Sequence, residues 1–215
     1  MTPQDASARN KEMCRMAPVI PVIVIDRVED AVPLAEALVA GGLPVLEVTM
    51  RTPAALDAIA AMAGVKGGIV GAGTVINGQD VSAAVAAGAR FAVSPGATTG
   101  LLQACEDADL PLLPGAVTSS EAMALLERGY DMLKFFPAEQ SGGAATLKGL
   151  AGPLPRISFC PTGGITPATA PNYLSVPTVP CVGGSWVVDK AMMAAGDWDG
   201  ITALARTAAG LRSGN

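Results

Sequence analysis

Eight short apolar runs, each followed by an Ala- or Leu-rich segment of helical character, recur along this chain of 215 residues. The runs begin near Pro18, Val45, Gly68, Phe91, Pro111, Met132, Ile157 and Thr178. Most of them are continuously apolar, which is typical of parallel strands that are buried on both faces. Strands that alternate with helices indicate an α/β fold in which helices cover a parallel sheet.

Five glycines near the ends of the helical segments define the length of the repeat: Gly42, Gly64, Gly88, Gly129 and Gly152. They are separated by 22, 24, 41 and 23 residues, and the interval of 41 is close to two units. We expect these glycines to adopt the left-handed conformation that ends many helices. Eight such units nearly fill the chain, which favours a TIM (β/α)8 barrel over a doubly wound sheet.

We therefore predict one domain over residues 1–215. A polar, helical arm occupies residues 1–16, and a compact barrel occupies residues 17–211. In such a barrel the chemistry lies at the C-terminal ends of the strands.

The chain contains no histidine. This excludes mechanisms that need an imidazole as a base, a zinc ligand or a member of a catalytic triad. Proton transfer must therefore use carboxylates, lysines, tyrosines, cysteines or water. The net charge is −5 and no basic run is present, so we expect no nucleic-acid partner.

Export and membrane insertion are not expected either. Residues 1–16 are polar and lack the apolar core of a signal peptide. The longest uncharged run, residues 157–188, contains five prolines and does not resemble a spanning helix. The four cysteines are scattered without a C-x-x-C motif, so we expect buried, inert thiols in a reducing cytoplasm and no metal site.

The second apolar run carries two charged side chains. Because side chains alternate along a strand, Glu47, Thr49 and Arg51 share one face, and their apolar neighbours share the other. The apolar face must contact the helices, so the charged face is predicted to point into the barrel. One interpretation is a functional site, and the other is a buried Glu–Arg pair that has only a structural role.

The sixth run, MLKFFPAE, places Lys134 among apolar neighbours. Burial penalises the ammonium form of a lysine, so an amine in this setting can attack a carbonyl and form a Schiff base. The alternative is a lysine that extends to solvent at an exposed sheet edge. A closed barrel has no such edge, which favours the Schiff-base interpretation.

The last two runs end in glycine-rich turns, Thr162-Gly163-Gly164 and Gly183-Gly184-Ser185. TIM barrels often bind phosphate with the loops that follow strands seven and eight, and glycines let backbone N–H groups approach the anion. Tight turns without a ligand are the alternative. Thr74 after the third run offers another hydroxyl for a small acid, and Pro95 after the fourth could line the pocket.

In order, the segments LEVTMR, VGAGTV, SPG, KFFPAE, PTGG and VGGSW resemble the 2-keto-3-deoxy-6-phosphogluconate (KDPG) aldolase and 4-hydroxy-2-oxoglutarate (KHG) aldolase family. The resemblance extends from about residue 18 to residue 211. It implies a class I aldolase on a TIM barrel, a cytoplasmic homotrimer without a cofactor or metal ion. The implied reaction is the reversible cleavage of KDPG to pyruvate and glyceraldehyde 3-phosphate, the aldolase step of the Entner–Doudoroff pathway.

The resemblance also implies a role for each candidate residue. Lys134 forms the Schiff base, and Glu47 transfers protons. The pyruvate carboxylate is held by Arg51 and Thr74. The remaining candidates line the pocket (Pro95, Phe136, Thr162) or bind phosphate (Gly163, Gly164, Gly184, Ser185).

Other functions remain open from the sequence. A related aldolase could cleave KHG or 2-keto-3-deoxy-6-phosphogalactonate with the same lysine and glutamate. A non-catalytic barrel that binds a phosphosugar is a second class, but it would not need a buried lysine near a buried carboxylate. An aldolase that depends on Mg²⁺ held only by carboxylates is a third.

Overall fold

The computed structural model describes residues 1–212. Eight parallel strands form the wall of a barrel. The strands are β1 (Val19–Ile23), β2 (Val45–Thr49), β3 (Ile69–Gly73), β4 (Ala92–Val93), β5 (Leu112–Leu113), β6 (Met132–Phe135), β7 (Ser158–Pro161) and β8 (Val182–Gly184). Six of them pair in the order β5-β4-β3-β2-β1-β8, and β6 pairs with β7.

Two narrow seams close the barrel between these sheets. A parallel bridge joins Gly115, just after β5, to Lys134 on β6. A second parallel bridge joins Thr162, just after β7, to Gly183 on β8. All eight strands therefore follow one another around a single ring, and the predicted TIM-barrel class is confirmed.

Helices follow the strands and cover the outside of the ring, except for the first helix, which precedes β1. They are α1 (Pro3–Met16), α2 (Ala31–Ala40), α3 (Ala55–Met62), α4 (Gly78–Ala86), α5 (Thr99–Asp107), α6 (Ser119–Arg128), α7 (Gly143–Ala151), α8 (Ala170–Leu174), α9 (Lys190–Ala195) and α10 (Trp198–Ala209). The main core lies between this layer and the outward faces of the strands, and consists mostly of Ala, Val, Leu and Ile. None of the helices within residues 1–212 is long and apolar enough to cross a membrane.

Helix α1 packs against the barrel through polar contacts and a buried face. The Asn10 side chain donates to the carbonyl of Leu112 at 2.7 Å. The Ser7 hydroxyl accepts from the backbone N–H of Asp131 at 3.0 Å, and Lys11 forms an ion pair with the Asp131 carboxylate at 2.5 Å. These contacts fix α1 against β5 and the start of β6, at the N-terminal end of the barrel.

The glycine prediction is correct at three positions and wrong at two. Gly42, Gly88 and Gly129 have φ values of +92°, +86° and +112°, as expected for left-handed helix ends. Gly64 and Gly152 do not lie in the left-handed region, and Gly152 has φ −65°. Gly152 continues the right-handed backbone of α7, and after α3 the residue with positive φ is Gly67, at +85°, three positions after Gly64.

Candidate active site

A buried ion pair joins two strands that lie on different sides of the barrel interior. The Nζ atom of Lys134 on β6 donates to Oε1 of Glu47 on β2 at 3.1 Å. Only 7% of the lysine side chain and 4% of the glutamate side chain are exposed. The ring of Phe136 lies beside the ammonium group, with its centroid 5.2 Å from Nζ. The two side chains singled out from the sequence are thus in direct contact in a desolvated setting.

Glu47 fits inside the barrel because the neighbouring strand has glycines beside it. On β3, Gly71 is paired with Glu47 and Gly73 with Thr49. A Cβ atom at Gly73 would overlap the Glu47 carboxylate, so any side chain there would displace it. Gly73 was not predicted from the sequence as a site residue. Its signal is the G-x-G pattern in a strand, which often marks a close approach of another group.

Arg51 is placed differently from the prediction. Strand β2 ends at Thr49, and Arg51 lies in the following turn with an exposed side chain. Its Nε donates to Oγ1 of Thr49 at 3.3 Å, and that hydroxyl donates to the carbonyl of Ile23 at 2.9 Å. The buried Glu–Arg pair considered from the sequence does not form, because Glu47 pairs with Lys134 instead. Arg51 keeps its guanidinium at the pocket rim, where it can meet an anion.

Thr74 has a strained backbone. Its φ is +63°, in the left-handed region that β-branched residues rarely adopt. Such conformations cost about 1–3 kcal/mol and concentrate at functional sites. Thr74 follows β3 directly, so the strained turn presents this residue at the C-terminal end of the strand.

The candidate residues enclose a small cavity of about 130 Å³. It is lined by Val22, Glu47, Thr49, Arg51, Thr74, Pro95, Lys134, Phe136 and Thr162. Seven of these residues are sequence candidates. Val22 and Thr49 were not among them, although the alternation along β2 already put Thr49 on the inward face.

The two predicted glycine turns differ: Gly163 and Gly164 form a bend directly after β7, whereas Gly183 and Gly184 are buried and belong to strand β8, so the second prediction is wrong for them. The bridge from Thr162 to Gly183 places the segments after β7 and β8 next to each other. Gly163 and Gly164 have φ values of +108° and +75°, which glycine adopts without strain. Ser185 is exposed and is the first residue after β8. The four predicted phosphate-binding residues therefore lie at or just after the C-terminal ends of β7 and β8 and do not line the small cavity.

A second hydrogen bond fixes the loop after β6. The hydroxyl of Tyr173 on α8 donates to Oε1 of Glu139 at 2.6 Å. Burial raises the pKa of Tyr173, and the Glu139 carboxylate raises it further, so the phenol stays a donor. From the sequence, Tyr173 was interpreted as a packing residue. The structure shows that it also holds Glu139 next to Gly164.

The fold and the lysine–carboxylate pair together define the class of protein. A buried lysine beside a carboxylate, at the C-terminal ends of TIM-barrel strands, is the arrangement of an aldolase that works through a Schiff base. A family model described as KDPG and KHG aldolase matches residues 10–204. The chain belongs to this family and is an aldolase.

Individual relatives are similar over nearly the whole chain. The KHG/KDPG aldolase of Escherichia coli (strain K12) is 53% identical over 192 residues, which cover 89% of this chain and 90% of the relative. The KDPG aldolase of Zymomonas mobilis ZM4, solved with 3-phosphoglycerate, is 49% identical with a TM-score of 0.90, covering 95% of this chain and 97% of the other.

The KDPG aldolase of Legionella pneumophila was solved with pyruvate captured at low pH as a covalent carbinolamine intermediate. It is 47% identical to this chain with a TM-score of 0.89, and the match covers 93% of this chain and 97% of that one.

Proposed function

We propose that this aldolase cleaves KDPG reversibly to pyruvate and glyceraldehyde 3-phosphate through a Schiff base on Lys134. The observation that carries the proposal is the 3.1 Å contact between Lys134 Nζ and Glu47 Oε1 inside a barrel without histidine. The pair supplies a nucleophile and a proton carrier, which are the two groups that a metal-free aldol cleavage needs.

The lysine amine attacks the C2 carbonyl of the substrate and gives a carbinolamine. Loss of water then gives a protonated imine. Glu47 lies within hydrogen-bond distance of the nitrogen, so it can move protons during both steps. The imine is an electron sink, because its positive nitrogen accepts the electron pair of the bond that breaks next.

In the cleavage step, Glu47 takes the proton of the C4 hydroxyl. The C3–C4 bond breaks and the aldehyde leaves. The electron pair of the broken bond stays on the lysine-bound fragment, which becomes an enamine. The protonated Glu47 then returns a proton to C3 of the enamine. Hydrolysis of the imine releases pyruvate and restores the lysine amine.

The dimensions of the site support recognition of the substrate in two parts. The cavity of about 130 Å³ is below the usual range for a ligand pocket, about 300–1,000 Å³, so it suits only the keto-acid end. Arg51 and Thr74 at its rim would hold the carboxylate. The phosphorylated end would then extend to the C-terminal ends of β7 and β8, where Gly163, Gly164, Gly184 and Ser185 would offer backbone and hydroxyl donors.

A second candidate substrate is KHG, because the E. coli relative is named KHG/KDPG aldolase. KHG has the same keto-acid end but no phosphate. The same lysine and glutamate would cleave it, without help from the C-terminal ends of β7 and β8. Release of pyruvate from KDPG and from KHG, measured with the same enzyme preparation, ranks the two.

Borohydride trapping tests the covalent step. The enzyme is incubated with pyruvate and reduced, and the adduct is mapped by mass spectrometry. We expect the adduct on Lys134, with Lys134→Met as the unlabelled control. Labelling confined to Lys66, Lys148 or Lys190, or none at all, would exclude a Schiff base at Lys134.

We propose further that the enzyme is a cytoplasmic homotrimer. The family resemblance supports the trimer, and the free thiols of all four cysteines suit a reducing compartment. Light scattering on the purified protein should give a mass of three chains.

A further inference from the structure

Three cysteines that are far apart in the sequence meet inside the barrel. Cys14 lies on α1, Cys160 lies on β7 and Cys181 immediately precedes β8, and all three are buried. Their Sγ atoms lie within 4.8 Å of one another, and Sγ of Cys181 is 3.5 Å from Sγ of Cys160. The aldol chemistry proposed above uses none of these thiols.

We propose that Cys14, Cys160 and Cys181 form a site for one soft divalent metal ion of the zinc group. Thiolate sulfur is the ligand that such ions prefer. With zinc–sulfur bonds of about 2.3 Å, ligand sulfurs in a tetrahedral site lie about 3.8 Å apart. The observed spacing, 3.5 Å for one pair and at most 4.8 Å for the others, brackets this value. Small side-chain rotations would bring the three sulfurs onto an ion.

All three cysteines pack against apolar neighbours, but packing does not require their sulfur atoms to meet. A free cysteine can simply pack as a small apolar side chain. Cys105 on α5 is an example. Cys105 is fully buried outside the cluster, and burial, with the charge of Glu106 as a second cause, raises the pKa of its thiol to about 12. The other three sulfurs differ because they come from three separate elements and converge on one point.

The surrounding charge favours a divalent ion. Three thiolates and a divalent ion leave one net negative charge, whereas a monovalent ion leaves two, and buried charge is costly unless it is paired. In the pairing of β6 with β7, Lys134 stands opposite Cys160. Its ammonium group already pairs with Glu47 and offers no further charge, so the divalent ion, which leaves the smaller uncompensated charge, is the better fit.

A bound ion would cross-link parts of the chain that meet only by packing and a few hydrogen bonds. Cys14 would tie α1 to β7 and to the start of β8. Because the folded chain offers three ligands together and the unfolded chain does not, binding should raise the stability of the fold. The ion would thus fasten α1 to the N-terminal end of the barrel.

Cadmium provides a direct spectroscopic test. The reduced full-length protein is titrated with Cd²⁺, both in its native state and during refolding, because α1 covers the site. We expect one equivalent to bind, with a thiolate-to-cadmium charge-transfer band in the ultraviolet, a raised melting temperature and displacement by excess Zn²⁺. Cys14→Ser and Cys181→Ser should lose the band and the stabilisation.

The matched control is Cys105→Ser, which removes a buried thiol outside the cluster and should keep both signals. Circular dichroism and melting without metal establish that each variant folds. The proposal is overturned if neither preparation of the wild type binds Cd²⁺. It is equally overturned if Cys14→Ser and Cys181→Ser bind like the wild type, or if Cys105→Ser loses binding as they do.

Discussion

At the scale of single residues, the site depends on one contact between two charged groups, each of which costs free energy to bury. A lysine and a glutamate buried together are tolerated because each neutralises the other, and removing one partner leaves an unpaired charge. Lys134 is held by two backbone hydrogen bonds to the segment after β5, from its N–H to the carbonyl of Pro114 and from the N–H of Ala116 to its own carbonyl. The nucleophile is therefore fixed by the strand and not by the ion pair alone. This separation lets the roles of lysine and glutamate be tested one at a time.

Replacing Glu47 with Gln should separate proton transfer from covalent chemistry. The amide keeps the volume and most hydrogen bonds but cannot act as a base. Loss of a general acid–base typically costs about 10²–10⁴-fold, so cleavage and exchange of the pyruvate methyl protons into D₂O should both fall by this order. Borohydride trapping at Lys134 should survive, although more slowly. If the variant exchanges protons at the wild-type rate, the base lies elsewhere.

Ser185→Ala tests the phosphate end of the site. Ser185 is exposed directly after β8, and a hydrogen bond to a charged group contributes about 1.5–3 kcal/mol. Cleavage of KDPG should therefore fall by about 10–150-fold, while cleavage of KHG should change little. We would measure kcat/KM for both substrates, and KHG serves as the control because it has no phosphate. An equal loss on the two would mean that Ser185 does not contact the phosphate.

At the scale of elements, the apolar runs predicted all eight strands, because buried parallel strands have a strong sequence signal. The lengths of the strands could not be predicted from the sequence. Strands β4 and β5 have only two residues each, because the extent of pairing there depends on the neighbouring strands. Helix α9 was not predicted, because six residues after a glycine-rich turn give too short a pattern. The convergence of the three cysteines was also invisible, since it depends on how α1 crosses the barrel end.

The N-terminus of α6 offers a test of local stability with a defined pH dependence. The N–H groups of Thr118 and Val117 donate to the Glu121 carboxylate at 2.8 and 2.9 Å, and Thr118 Oγ1 accepts from the N–H of Glu121, which forms a capping box. These backbone hydrogen bonds, that of Thr118 first, hold the pKa of Glu121 below its ordinary value of 4.5. The carboxylate thus stabilises the folded state above about pH 4.5, and this contribution is lost as the pH falls through the lower folded-state pKa.

Glu121→Ala should therefore lower the free energy of unfolding by about 0.3–1 kcal/mol at pH 7, the usual effect of a carboxylate at a helix N-terminus. The difference from the wild type should shrink as the pH falls below 4.5. Urea unfolding at several pH values measures both effects. Glu127→Ala, in the exposed last turn of the same helix, is the control and should not destabilise. A constant difference at every pH would exclude the carboxylate as its source.

At the scale of the whole molecule, the site residues come together when the ring of strands closes. The ring is completed by two single bridges, and each involves a site residue: Lys134 at one seam and Thr162 at the other. The sequence could predict a barrel from its repeat and could place polar residues at strand ends. It could not show that the seams coincide with the site, because bridges between strands are set by register and close backbone approach. At the second bridge this approach needs a glycine, because a Cβ atom at Gly183 would overlap the Thr162 side chain.

Gly115→Ala tests this coupling between closure and site. A Cβ atom at Gly115 would overlap the backbone of Pro95 and Gly96, which cannot yield as a flexible side chain would. Overpacking of this kind costs about 1–3 kcal/mol. Because Gly115 bridges to Lys134, the strain should also displace the nucleophile, so borohydride trapping should slow at temperatures where the variant is fully folded.

Gly149→Ala is the matched control for that substitution. Gly149 lies within α7, and a Cβ atom there would meet no other atom within 4 Å. Alanine in a helix interior is favoured over glycine by about 0.5–1 kcal/mol, so this variant should gain stability and trap pyruvate at the wild-type rate. Urea unfolding and the trapping rate, measured on both variants, separate a loss at the seam from a general effect of adding a methyl group. If Gly115→Ala unfolds and traps pyruvate as the wild type does, the seam tolerates a side chain and does not position Lys134.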